Sequence, residues 1–422
     1  LVTGCVPSKA LLHAAGLARG QAESASPGRG ALEHVRRIRA SVAHDDAIDA
    51  KQEEGIDVLA GHATFTGRNQ LQLDGQSVRF KRAIIATGGR PRLPDVPGLA
   101  DLDPLTSESL FELEALPSRV VMIGGGPIGC EMAQALARLG TRVTLLHRGP
   151  RLLPRDDPDA SEIVRRALVS DGVDVRLHAD VRGASGTPTA VRIEAQVGSQ
   201  PESFEGDRVF VATGRVPNIE HLGLEAAGVQ HDARGIEVDK RMRTTNRKIY
   251  AVGDVATGPQ YTHAAWAQAE FATLNALFPV AMNARERPLP HVTYTDPELA
   301  HVGASMAQLS ARDDVRTLTV QLSHNDRAVT EDDPTGFARV HLRGSSDTIL
   351  AATVVGRGAG DLIAQMGLAI TAKVGLRTVG RTVHAYPTRS EVWRDLAYAW
   401  EMNRVGPGTR RWAQRWFRWM LR

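Results

Sequence analysis

Chemistry can begin at Cys5. In Leu1-Val2-Thr3-Gly4-Cys5-Val6-Pro7-Ser8-Lys9, proline sits where a helix takes its first turn, and Ala10, Leu11, Leu12, Ala14, Ala15 and Leu17 continue that helix. Cys5 therefore stands at a helix N-terminus, where unpaired N–H groups and the helix dipole favour negative charge on sulfur. Lys9 adds a positive charge one turn further in. Such a thiol is a candidate nucleophile or redox group. The plainer alternative is a packing cysteine ahead of an ordinary helix.

A second constellation lies at Arg119-Val120-Val121-Met122-Ile123-Gly124-Gly125-Gly126-Pro127-Ile128-Gly129-Cys130-Glu131. An apolar strand opens into Gly-x-Gly-x-x-Gly and a helix follows, the pattern of a dinucleotide-binding turn. Gly124 permits the turn, Gly126 lets backbone approach a pyrophosphate, and Gly129 lets helix and strand pack closely. The phosphates would rest on the helix N-terminus around Ile128. Cys130, inside the helix, reads as a small packing residue. The strand returning at Arg142–Leu146 ends in His147, with no carboxylate for a ribose 2′-hydroxyl. Arg148, and after it Arg151, would hold a 2′-phosphate instead. NADPH is therefore the expected nucleotide, ahead of NADH.

The elements that must position these groups form an α/β pattern. At 422 residues, 42% hydrophobic and 23% charged, the chain has the balance of a globular protein with two to four domains. A net charge of +3 gives no reason to invoke nucleic acid. Two cysteines exclude a disulfide scaffold and suit a reducing cytoplasm. No apolar run reaches membrane-spanning length. Helix is expected from Ser8 to Glu23, a loop at Ser26–Gly30, and then a second amphipathic helix. A strand ending in Ala86-Thr87-Gly88 is echoed by one ending in Ala212-Thr213-Gly214, which hints at an internal duplication. The tail from Thr409 interleaves Trp412, Trp416, Phe417 and Trp419 with arginines. Its aromatic stripe is expected to pack on the domain or on a dimer partner, a membrane-surface helix being the alternative.

Gly4-Cys5-Val6-Pro7-Ser8-Lys9, the two Ala-Thr-Gly strands, Arg215-Val216-Pro217-Asn218 and Ile249-Tyr250-Ala251-Val252-Gly253-Asp254 together resemble the class I pyridine nucleotide–disulfide oxidoreductases. Four ordered motifs carry the resemblance along essentially the whole chain. It implies two Rossmann-like dinucleotide-binding domains plus a C-terminal α/β dimerisation domain. The implied segments are 1–118 (FAD-binding), 119–243 (NAD(P)H-binding), 244–287 (FAD-binding return), 288–400 (dimerisation) and 401–422 (aromatic and basic helix). In the family, Cys5 would be the second cysteine of a redox pair, the one facing the flavin. The first would fall one residue before Leu1, and the FAD glycine motif earlier still. The chain is thus expected to be an N-terminally truncated copy.

The resemblance further implies that Thr87, Gly88 and Gly214 line the cofactors and that Gly253 and Asp254 anchor FAD through its ribityl chain. Thr262 and His263 would face the flavin from a helix N-terminus, and Glu131 would pair with Lys9 near the nicotinamide. Disulfide reductases of the family carry His-Pro-Thr-x-x-Glu, whose histidine is the general acid–base across the dimer interface. Here Tyr386 takes that place, with His384 two residues earlier and Glu391 retained. Tyrosine, with an ordinary pKa of ~10, is a poor proton shuttle at neutral pH. The resemblance is therefore to the mercuric reductase-like branch, although no cysteine follows Cys130 to hand over a metal. The implied activity is electron transfer from NADPH through FAD and a cysteine pair to a metal ion or disulfide, in a cytoplasmic homodimer with no resident metal. A dihydrolipoamide or glutathione reductase-like enzyme is the alternative, and an inactive dimeric interaction protein is the alternative from another class.

Overall fold

The computed structural model describes residues 3–19, 27–43, 47–279, 282–283, 287–404 and 406–421. It divides into two compact units, Leu1–Leu152 with Leu168–Arg287, and Leu153–Ala167 with Pro288–Arg422.

In the first unit α1 (Cys5–Ala18) buries Ala10, Leu11 and Ala15 and packs against α2 (Pro27–Ala43). Residues 27–30, expected in a loop, form the first turn of α2, because Pro27 supplies a helical φ at a position that needs no N–H. Ser26 and the expected continuation of the first helix through Glu23 lie outside the described residues. Next comes β1 (Ala83–Ile85), the strand of the first Ala-Thr-Gly. The glycine-turn unit follows as β2 (Arg119–Ile123), α3 (Pro127–Arg138), β3 (Arg142–Leu146) and β4 (Asp174–Arg176), with α4 (Pro158–Ser170), most of which belongs to the second unit, between β3 and β4 in sequence; β5 (Arg208–Val211) carries the second Ala-Thr-Gly. These strands make a parallel sheet in the order β5-β2-β3-β4. Val120 to Ile123 are all buried, as the central strand of a two-sided parallel sheet requires.

The first Ala-Thr-Gly strand, β1, pairs in parallel with β6 (Ile249–Ala251), which leads into Gly253-Asp254 and then α5 (Thr262–Leu277). Among the described residues no strand pairs with the other edge of β1.

The two Ala-Thr-Gly turns grip each other. Residues 89–91 and 215–217 form an antiparallel pair centred on Arg90 opposite Val216. Thr87 Oγ1 donates to Asn218 O at 2.8 Å, and Thr213 Oγ1 donates to Arg92 O at 2.7 Å. The Asn218 N–H donates to Gly88 O, and the Arg92 N–H to Gly214 O, both at 2.9 Å. Each threonine bonds the residue five places beyond the other threonine, so the contacts are two-fold symmetric. The repeat seen in the sequence is thus a repeat in space.

In the second unit β7 (His291–Thr293), β8 (Glu298–Gly303), β9 (Val315–Gln321), β10 (Phe337–Arg343) and β11 (Ile349–Gly356) form an antiparallel sheet in the order β7-β8-β11-β10-β9. Alternation along each strand gives it two unlike faces. One face presents Ala300, Val302, Leu318, Val340, Leu342 and Val354 to α6 (Ala359–Thr371) and α7 (Glu391–Met402), where Met366, Trp393 and Trp400 complete an apolar core. The last element is α8 (Pro407–Met420).

The other face carries His301, Thr353, Arg339, His341 and Thr317. Segment 153–167 groups with this unit. Asp157, fully buried, caps α4 by accepting from the Asp159 and Ala160 N–H groups, and pairs with Arg339 at 2.6 Å. Asp156 accepts from His291 at 2.7 Å. His301 donates from Nε2 to Ala304 O and meets Thr353 Oγ1 at Nδ1. Burial, then the neighbouring His291, lowers its pKa to about 4.

A histidine whose folded pKa lies below its unfolded value binds fewer protons in the native state. Its contribution is intact above about pH 6.5 and is lost as pH falls toward about 4. Between pH 6.5 and 5 the wild type should lose about 2 kcal/mol more stability than His301→Gln. Denaturant unfolding at several pH values reads this; parallel pH profiles would show that His301 is not the responsible group.

Candidate active site

Cys5 is the first residue of α1, with Gly4 as N-cap, and its thiol is exposed. Its Sγ lies 3.1 Å from Oγ1 of Thr262, the first residue of α5. Two helix N-termini therefore converge on one sulfur, where the sequence had offered only one. Each contributes partial positive charge. His263, next to Thr262, is stacked with Tyr261 at 5.4 Å between ring centroids.

One turn into α1, Lys9 Nζ donates to Glu131 Oε2 at 2.8 Å. Glu131 lies on α3, directly behind the glycine turn, and its side chain is only 5% exposed against 36% for lysine. The buried carboxylate makes this pair costly to break. It fastens the thiol-bearing helix to the nucleotide helix.

The glycine turn has the geometry its spacing demands. Gly124 has φ +117°, and a Cβ there would lie 2.4 Å from Ala212 O. A Cβ on Gly129 would lie 1.8 Å from Gly124 O, so α3 packs against the turn itself. At Gly126 a Cβ would meet nothing within 4 Å, which leaves open space beside the helix N-terminus and Ile128. That space suits a pyrophosphate.

His147 has a role that its sequence position did not reveal. Its Nδ1 accepts the Gly125 N–H at 3.2 Å, tying the end of β3 to the glycine turn. Burial, reinforced by Arg148, lowers its pKa and keeps the ring neutral. Arg148 is exposed and Arg151 half-buried beyond it.

The flavin-side residues fit their expected cofactor at one telling atom. Asp254 Oδ2 accepts from Arg215 Nε at 2.9 Å, while Oδ1 accepts no hydrogen bond among the described residues. One carboxylate oxygen is thus left for a hydroxyl such as those of a ribityl chain. Arg215 also donates from Nη2 to Gly89 O. Gly88 and Gly214, both at positive φ, have open space where a Cβ would stand, and the Gly253 N–H is held by Gln268 Oε1.

Tyr386, His384 and Glu391 belong to the second unit. The exposed Tyr386 hydroxyl donates to Asp326 Oδ2 at 2.9 Å, and this bond raises its pKa further. His384 donates from Nδ1 to Thr382 O at 2.9 Å, and its Nε2 faces the Gln365 amide nitrogen at 3.3 Å. Glu391 is buried, accepting the Thr388 N–H and pairing with Arg394 at 2.7 Å. His384 and Glu391 therefore do not form a dyad.

Residues 1–269 match the family described as pyridine nucleotide-disulphide oxidoreductase, and residues 289–397 match its dimerisation domain. The chain belongs to this family. It is accordingly an NAD(P)H-dependent flavoprotein oxidoreductase by class, built of FAD- and NAD-binding domains and a dimerisation domain. Mercuric reductase of Staphylococcus aureus is 32% identical over 400 residues, which cover 92% of this chain and 73% of that one. Dihydrolipoyl dehydrogenase of the same organism is 33% identical over 419 residues, covering 94% and 88%. Among solved structures, the HOCl-induced flavoprotein disulfide reductase RclA from Escherichia coli aligns with a TM-score of 0.84 at 25% identity, covering 94% of this chain and 89% of that one. LpdA from Mycobacterium tuberculosis aligns at 0.83 and 26%, covering 94% and 89%. Relatives named mercuric reductase and dihydrolipoyl dehydrogenase match this family member at similar identity.

Removing Lys9 should take the lysine charge away from the buried Glu131 carboxylate. Lys9→Met is expected to cost about 2 kcal/mol, and Lys9→Met with Glu131→Leu to cost less than Lys9→Met alone. A double-mutant cycle in denaturant checks this, and strict additivity would mean that the pair is not coupled.

Proposed function

We propose that this chain passes electrons from NADPH by way of FAD and a cysteine pair containing Cys5 to a metal ion, in the manner of mercuric reductase, and that it works as a homodimer. The observation that carries this reading is the exposed Cys5 thiol at the junction of two helix N-termini. The helix ends present partial positive charge to this sulfur, and thiolate sulfur is the form that attacks a disulfide or binds a soft metal.

The chain's own residues divide the work. The α3 N-terminus and Gly126 would cradle the nucleotide pyrophosphate, His147 holds that turn in shape, and Arg148 with Arg151 would take the 2′-phosphate. Asp254 Oδ1 would accept from a ribityl hydroxyl. FAD, when bound, supplies the two-electron chemistry that links a nicotinamide hydride to a disulfide. Lys9 and Glu131 keep the thiol helix and the nucleotide helix in register.

The choice of oxidant turns on protons. A disulfide substrate needs an acid for its departing thiol. Tyr386 is a weaker acid than usual because Asp326 holds its proton. His384 is engaged at both ring nitrogens, Nδ1 with Thr382 O and Nε2 with the Gln365 amide. A metal ion makes no such demand, and this favours the metal reading over a dihydrolipoamide or glutathione reductase-like one.

Nucleotide choice can be read without turnover. NADPH should bind at least about tenfold more tightly than NADH, and Arg148→Glu should erase the difference. Fluorescence titration with each nucleotide measures it; equal affinities in the wild type would remove the NADPH assignment. Cys5→Ser should abolish NADPH-dependent reduction of Hg(II) while leaving NADPH binding unchanged. A wild-type kcat/KM higher for lipoamide or glutathione disulfide than for Hg(II) would move the function to the disulfide class.

A further inference from the structure

The motif that the catalytic reading leaves unused is α8. It starts cleanly, with Gly406 as N-cap and Pro407 in the first turn. At ~100° per residue, Trp412, Trp416 and Trp419 share one narrow face, with Met420, Ala413 and Phe417 extending it to one side. The three indoles form a ladder, with centroids 5.9 Å apart for Trp412–Trp416 and 5.2 Å for Trp416–Trp419. Yet they are not covered. Trp412 is 64% exposed, Trp419 68%, and Phe417 and Met420 57% each. Arg411, Arg415 and Arg418 occupy the opposite arc, and Arg410 lies toward the far edge of the apolar side.

We propose that α8 is a membrane-surface anchor that lays its tryptophan face into the interface of an anionic lipid bilayer. Tryptophan prefers the boundary between hydrocarbon and headgroups, and arginine on the flank of such a helix reaches anionic phosphates. Charge decides between this occupant and a second copy of the chain. Residues 407–422 hold five arginines and no carboxylate, more than the whole chain's net charge of +3, so the remaining 406 residues carry a net charge of only −2. A second copy therefore brings little opposing charge, whereas an anionic bilayer presents it continuously. No helix among the described residues is long and apolar enough to cross a membrane, so the contact is peripheral. This surface is independent of the redox chemistry proposed above.

Flotation of the full chain with phosphatidylcholine vesicles, with and without phosphatidylglycerol, tests it. The wild type should float with the phosphatidylglycerol vesicles, and partition at least about tenfold less onto phosphatidylcholine alone. Raised salt should release it, and binding should shift its tryptophan emission to shorter wavelength. The triple variant Trp412→Ala, Trp416→Ala, Trp419→Ala should lose both flotation and shift with its oligomeric state unchanged. Because those indoles are solvent-exposed, this variant should fold. Arg415→Gln with Arg418→Gln, which spares the aromatic face, should bind about tenfold more weakly or less. Failure of the wild type to float, or equal flotation with both vesicles, would overturn the anchor. So would a triple variant that floats normally, or one whose dimer dissociates, which would assign the face to a second copy.

Discussion

Two turns of the same sequence, Ala-Thr-Gly, are locked by hydrogen bonds that each makes to the other. Thr87 reaches Asn218 and Thr213 reaches Arg92, while the main-chain N–H groups of Asn218 and Arg92 return the favour at Gly88 and Gly214. Both turns end parallel strands, so this clasp fixes the two strand ends relative to each other. Arg215, inside the clasp, goes on to hold Asp254. The Lys9–Glu131 pair then adds the thiol helix to the same frame. Breaking the clasp would take these partners from six main-chain groups at once.

The two units solve burial differently. The first relies on a parallel sheet whose central strand is apolar throughout, as helices on both sides demand. The second uses an antiparallel sheet with one apolar face and one polar face, and keeps both away from water. On the polar face every charge has a geometric answer: Asp157 against Arg339 and two helix N–H groups, Asp156 against His291. Such a layer tolerates little change, because removing one partner leaves the other buried without an offset.

Much of this was legible in the residues themselves. The glycine turn could be read because each glycine answers a local steric demand, and local demands are written in consecutive residues. The Lys9–Glu131 contact followed from the family resemblance rather than from spacing. What stayed hidden depended on partners far apart in sequence. Nothing near His147 announces that it accepts the Gly125 N–H. Asp326 lies sixty residues from Tyr386. The partners of Asp156 and Asp157, His291 and Arg339, lie far downstream and are not announced by the residues around either aspartate. Pro27 misled in the opposite direction, since proline beside glycine reads as a loop unless the first-turn preference is given weight.

The symmetry of the clasp bears on how such a protein can change over time. If the two halves descend from one ancestral unit, each would ordinarily be free to diverge once its own fold was secure. Here the partner of Thr87 lies in the other repeat, and so does the partner of Thr213. A substitution at either threonine therefore loosens a bond made to the other repeat, so each threonine serves the joint as well as its own turn.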